Sequence, residues 1–149
     1  MLQNDEGLPG PRPMPKPPKL DLAGVTVLIV EDHEDSRDML RQIVASTRAK
    51  VLSAANGEDA IALLATRPAP DLVFCDLVMP RMDGHQFMDW LRRQPHLARI
   101  PVIAVSALGA EADIMKTWSA GFSGHLVKPV DFWTIAAQLH RIFWAHKPS

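Results

Sequence analysis

From residue 25 onward the chain alternates between two hydrophobic periods. Short, near-continuous apolar runs rich in β-branched residues stand at 25–30 (VTVLIV), 51–55 (VLSAA), 71–75 (DLVFC), 101–106 (PVIAVS) and 125–128 (HLVK). Strands covered on both faces of a parallel sheet read in this unbroken way, whereas half-exposed strands alternate apolar with polar positions. The stretches between them carry the helical period. Residues 35–47 place Met39, Leu40, Ile43 and Val44 on one stripe, and residues 57–65 place Ala60, Ile61, Leu64 and Ala65 on another behind a capping Asn56. Residues 83–93 present Phe87, Trp90 and Leu91, and residues 110–120 present Ile114, Met115 and Trp118. The last stretch, 131–144, presents Phe132, Ile135, Leu139, Ile142 and Phe143. Five strands alternating with five helices predict a doubly wound α/β domain, and right-handed crossovers put helices on both faces of its sheet.

The first 22 residues do not share this pattern. Six of the 13 prolines lie between Pro9 and Pro18, interleaved with Gly, Arg and Lys. Such a segment reads as an extended or disordered spacer with polyproline stiffness, although PRPMPKPP also suits a proline-reading module. One domain is therefore expected over residues 23–147 of the 149. With 47% apolar and 22% charged residues the composition is that of a soluble globular protein. A net charge of -1 gives no electrostatic reason to bind nucleic acid or an anionic membrane. No apolar run spans a bilayer and no signal peptide opens the sequence, so a cytoplasmic protein is expected. The single cysteine, Cys75, excludes an internal disulfide and, within LVFC, reads as a small buried hydrophobe rather than a catalytic thiol.

In an open α/β sheet the functional crevice lies beyond the carboxyl ends of the strands. The first strand ends in Glu31-Asp32, the third in Asp76, the fourth in Ser106 and the fifth in Lys128. Three carboxylates repel one another in a partly dry crevice and call for a cation. Oxygen ligands without His or Cys select a hard ion, and Mg2+ suits one or two carboxylates together with water and a phosphate oxygen. A carboxylate can also act as a nucleophile in phosphoryl transfer, the transferred oxygens being neutralised by a metal, an ammonium and a hydroxyl or N–H donor. The plainer readings are helix-start carboxylates for Asp32 and Asp76, a solvated neighbour for Glu31, a turn hydroxyl for Ser106 and a solvated cation for Lys128.

The segments LIVEDHEDSR, CDLVMPRMDG, VIAVSA and GHLVKPVD, in this order and spacing, resemble the receiver domains of two-component response regulators over about residues 24–146. The resemblance implies a flavodoxin-like (βα)5 fold with strand order 2-1-3-4-5. It implies Asp76 as phosphoacceptor, and Mg2+, with Mn2+ as a substitute, held by Asp32, Asp76 and the Val78 carbonyl with indirect help from Glu31. Lys128 would pair with Asp76 or the phosphoryl group, across a cis Lys128–Pro129 bond. Ser106 and the Ala107 N–H would bind phosphoryl oxygens. The implied donor is a histidine kinase or a histidine phosphotransfer protein, and the chain would catalyse only its own phosphorylation and slow dephosphorylation.

His125 stands where the family often has Tyr or Phe, whose ring turns inward when the hydroxyl residue moves. The resemblance implies that His125 would pair with Ser106 as the switch, and an imidazole there would bring pH sensitivity. In the family the resemblance points to, the side chains two positions after the phosphoacceptor and two after the hydroxyl residue influence access of the hydrolytic water. Here they are Val78 and Leu108, two apolar groups that would not orient it. Slow self-dephosphorylation is therefore expected, and a half-life of seconds would count against it. No nucleic-acid-binding or enzymatic output is expected in the residues after Lys128, so output is expected through the domain's own surface. Trp133, Ala137, His140 and Trp144 lie at helical spacing on a second face of the last helix and suit a partner or a second copy. A relay intermediate, a phosphate sink or a receiver detached from a hybrid kinase fits equally. An aspartyl-phosphate phosphohydrolase would want a second Asp at Val78, and an FMN binder would want hydroxyls where EDHEDS is acidic.

Overall fold

A computed structural model describes residues 20–107 and 111–144. The elements run β1 (Thr26–Val30), α1 (Glu34–Ala45), β2 (Lys50–Ala54), α2 (Gly57–Thr66), β3 (Leu72–Asp76), α3 (Gly84–Arg92), β4 (Val102–Ser106), α4 (Glu111–Ser119), β5 (Gly124–Val127) and α5 (Phe132–Phe143). The five strands are all parallel, in the order β2-β1-β3-β4-β5. This is the doubly wound, flavodoxin-like arrangement.

Strand side chains alternate between two cores. Leu28, Val30, Val73, Cys75, Val102 and Ala104 face α2 and α3, meeting Ala60, Leu64, Phe87 and Leu91. Val27, Ile29, Leu72, Phe74, Ile103 and Val105 face α1 and α5, meeting Leu40, Val44, Ile135 and Leu139. Burial on both sides explains why the runs read as unbroken apolar stretches. The helix starts are set locally. Asn56 accepts the Asp59 N–H at 2.8 Å, and Asp83 and Asp131 form capping boxes with Gln86 and Thr134.

Four expectations are corrected. Leu20 and Leu22 pack into the α1/α5 core, and the Leu22 N–H reaches the Thr47 carbonyl, so the folded unit includes residues assigned to the tail. The proline-rich run 9–18 itself lies outside the described residues, as do Leu108 and residues 145–147. Met39 is 47% exposed and does not join the core stripe of α1. In α4, Met115 and Trp118 are 62% and 51% exposed, and among its described side chains Thr117 is buried. Its hydroxyl donates to the Ile114 carbonyl at 2.6 Å and lies 3.1 Å from His125 Nδ1. A polar side chain whose hydrogen bonds are met can face inward, which a hydrophobic pattern does not register. Trp144, the C-cap just past α5, packs against the α1/α5 core instead of lying wholly on the outer face.

Candidate functional site

Register brings the acidic residues together. β1 pairs Val30 with Cys75 of β3, β3 pairs Asp76 with Val105 of β4, and β4 pairs Ser106 with Val127 of β5. The next residues along β1 and β5, Glu31 and Lys128, therefore fall on the same edge as Asp76 and Ser106. Asp76 is only 3% exposed, and Glu31 and Ser106 are fully buried. The solvated reading of Glu31 is thereby excluded, and so is that of Lys128.

Lys128 holds the cluster electrically. Its Nζ lies 2.7 Å from Glu31 Oε1 and 3.1 Å from Asp76 Oδ2. Asp76 Oδ1 accepts the Val78 N–H at 3.0 Å, which aims the carboxylate along the crevice. Burial is the largest influence on Asp76 and pushes its carboxyl above the ordinary value, with help from the neighbouring Glu31, while the Val78 N–H and Lys128 pull it down. For Lys128 burial opposes the charge, but its contacts with Glu31 and Asp76 win and hold the ammonium above its usual value. The thiol of Cys75, directly behind Asp76, is pushed up by burial and by the Asp76 charge and stays protonated. The Lys128–Pro129 peptide is cis.

The loop after Asp76 comes close to the start of α3. The Gly84 N–H donates to the Leu77 carbonyl at 3.0 Å, and a Cβ on Gly84 would stand 2.5 Å from the Asp76 carbonyl oxygen. Glycine at this point is a packing requirement of the loop carrying the central carboxylate. Beside Lys128 a cavity of about 320 Å3 opens between α1 and the loop before α5, lined among others by Asp35, Ser36, Met39, Val105 and Pro129. Exposure of Met39 is thus exposure to the crevice mouth.

One donor escaped the sequence reading, which treated the site as oxygen only. His33 Nδ1 stands 3.3 Å from Asp32 Oδ1 and 3.4 Å from Glu31 Oε2. Ligand atoms from Glu31, Asp32, His33 and Asp76 all lie within 4.8 Å of one another. The donor set fits a divalent cation, because Asp32 Oδ1 is buried without a hydrogen-bond donor among the described residues. The missed signal was the EDH tripeptide itself: on a loop turning into a helix, adjacent side chains can fold back on one point.

The other expected positions are more dispersed. Ala107 is exposed just past β4, Val78 is exposed in the loop, and His125 is partly buried against α4. Trp133, Ala137 and His140 line one shallow surface on α5. No described helix is long and apolar enough to cross a membrane.

Comparison with known proteins agrees with this geometry. Residues 27–140 match the model of the response regulator receiver domain. The chain is 38% identical over 109 residues to the Regulator of RpoS of Escherichia coli, covering 73% of this chain and 32% of that protein. It is 30% identical over 105 residues to the polar-differentiation response regulator DivK of Brucella anthropi, covering 70% of this chain and 85% of that one. Among solved structures it superposes with the signal receiver domain of a histidine kinase from Syntrophus aciditrophicus at a TM-score of 0.73. There the identity is 30%, over 84% of this chain and 94% of that one.

Proposed function

The chain belongs to the response regulator receiver domain family, and we propose that within it Asp76 accepts a phosphoryl group from a phosphohistidine and so alters the surface around the last two helices. The observation that carries this reading is the pairing of one ammonium with two buried carboxylates: Lys128 Nζ at 2.7 Å from Glu31 and 3.1 Å from Asp76. A cation so placed keeps a buried Asp ionised and nucleophilic and then remains beside the oxygens of the group it receives.

In the proposed step an Asp76 carboxylate oxygen forms the O–P bond as the N–P bond of the donor breaks and its histidine leaves as imidazole. Lys128 offsets charge on the transferred oxygens. Ser106, buried at the end of β4, and the Ala107 N–H donate to the same oxygens. Asp32, Asp76 and the Val78 carbonyl would hold the divalent ion, with Glu31 supporting indirectly, and that ion supplies further neutralisation of the phosphoryl oxygens. The largely apolar cavity beside Lys128 gives the donor protein a seat next to Asp76. That donor is a histidine kinase or a histidine phosphotransfer protein, and the setting is the cytoplasm.

Output runs through a protein partner or a second copy that reads α5, where Trp133, Ala137 and His140 line one shallow surface. His125 takes part as the link between β5 and α4, through Thr117. A relay role, in which the group returns from Asp76 to another histidine protein, uses the same chemistry, and reverse transfer would reveal it.

The test is to incubate the protein with acetyl phosphate, with and without Mg2+, and to weigh it intact beside Asp76→Asn. One phosphoryl mass gained by the wild type alone, and only with the metal, is the expected result. No gain under any condition would overturn the reading.

A further inference from the structure

We infer that His33 makes this crevice a mixed nitrogen–oxygen site that prefers a first-row transition ion such as Zn2+ or Mn2+ over Mg2+, with the imidazole Nδ1 as a ligand. The inference rests on the metal-binding reading above and narrows it to an ion class.

Three observations point the same way. First, the separations suit shared coordination. Ligands about 2.0–2.1 Å from one ion are about 3.0 Å apart at right angles and about 3.4 Å apart in a tetrahedron. His33 Nδ1 stands 3.3 Å from Asp32 Oδ1 and 3.4 Å from Glu31 Oε2. Second, His33 occupies the N-cap position of α1, yet its side chain caps nothing. Ser, Asp or Asn would be the ordinary choice there. The imidazole is directed to the carboxylates instead. Third, Asp32 Oδ1 is buried without a hydrogen-bond donor among the described residues, so the oxygen nearest His33 in the crevice has lone pairs to offer.

The chemistry then separates the ions. Mg2+ is hard, takes oxygen ligands and keeps much of its water, so an imidazole adds little to its binding. Zn2+ and its first-row neighbours accept imidazole nitrogen readily. To ligate through Nδ1 the ring must be neutral with its proton on Nε2. The ring is 69% exposed, so Nε2–H can be met by solvent. The competing account is that His33 is simply a counter-cation, an imidazolium beside two carboxylates, and the two accounts differ in what a bound metal sees.

The experiment uses the full-length protein and Mn2+ as the probe. Electron spin-echo modulation of the Mn2+ complex reports directly bound imidazole nitrogen, and Zn2+ and Mg2+ are titrated against Mn2+ in competition. Wild type is compared with His33→Ala and with His33→Asn, which restores a capping side chain and guards against loss of folding. Nitrogen modulation is expected in the wild type and in neither variant. Both variants should lose at least about tenfold more affinity for Zn2+ than for Mg2+. Mn2+ bound without nitrogen modulation, or equal losses for every ion, would overturn the inference while leaving the receiver reading intact. If the wild type binds none of the three ions, the metal reading of the site falls and this inference falls with it.

Discussion

The ammonium of Lys128 is closer to Glu31, at 2.7 Å, than to Asp76, at 3.1 Å, and Glu31 is the more deeply buried of the two carboxylates. Lys128 is thus tied to the first strand as well as to the third, and it neutralises a charge that has no access to water. Removing one member of a buried pair leaves the other uncompensated.

Lys128→Met is therefore expected to destabilise the fold by about 2–4 kcal/mol. The loss should be smaller by at least about 1 kcal/mol in a Glu31→Gln background, because the stranded charge has then gone. Urea unfolding of the four proteins of the cycle measures this coupling. Additive losses would show that Glu31 and Lys128 do not interact energetically.

Asp76 has the opposite effect on stability. Its carboxyl is raised above the ordinary value, chiefly by burial, so the native state holds the proton more tightly than the unfolded chain. Stability is accordingly fully present below the unfolded value and falls as pH rises through the native one. Asp76→Asn should raise the melting temperature near pH 7, because the raised carboxyl then no longer has to ionise in the folded state. The gain should shrink towards pH ~4. Calorimetry across that range decides, and an Asn variant less stable than wild type at neutral pH would contradict the assignment.

Gly84 and Gly57 make a matched pair. A Cβ at Gly84 meets backbone, 2.5 Å from the Asp76 carbonyl oxygen and 2.8 Å from Leu77 Cα, whereas one at Gly57 meets the flexible end of Met82. Gly84→Ala should cost about 1–3 kcal/mol and slow Asp76 phosphorylation by moving the loop, while Gly57→Ala should cost less than half as much. Phosphorylation kinetics with acetyl phosphate, beside thermal melts, measure both. Equal effects would mean that the loop after Asp76 yields as easily as a methionine side chain.

The tryptophans divide by what they pack against. Trp144 packs on the α1/α5 core, so Trp144→Ala should lower stability by about 1–3 kcal/mol. Trp118 is half exposed, and Trp133 lines the α5 surface. Their Ala variants should change stability by less than about 1 kcal/mol yet weaken self-association or partner capture by the phosphorylated protein. Sedimentation velocity of the phosphorylated variants gives the answer. Unchanged association would remove these faces from the output surface.

Much of this protein was legible in its sequence. Because each strand is covered on both faces, residues such as Val27 to Val30 had to be apolar without interruption, and the five runs and the helices between them could be counted directly. The rule that crevices form beyond strand carboxyl ends then picked out Glu31, Asp32, Asp76, Ser106 and Lys128. Sequence spacing could not decide which of them touch. That came from register, which set Val30 against Cys75 and Ser106 against Val127 and so gave Lys128 to Glu31 before Asp76. Nor could periodicity see a satisfied polar residue turned inward. Thr117 turned inward on α4, its hydroxyl met by His125 and the Ile114 carbonyl, while Met115 and Trp118 faced out. His33 shows the same limit at the site, where a turn of the backbone, invisible in a string of letters, folded its ring onto the two carboxylates beside it. Patterns of apolar residues report how much of a side chain is covered, and only packing in three dimensions selects the partner that covers it.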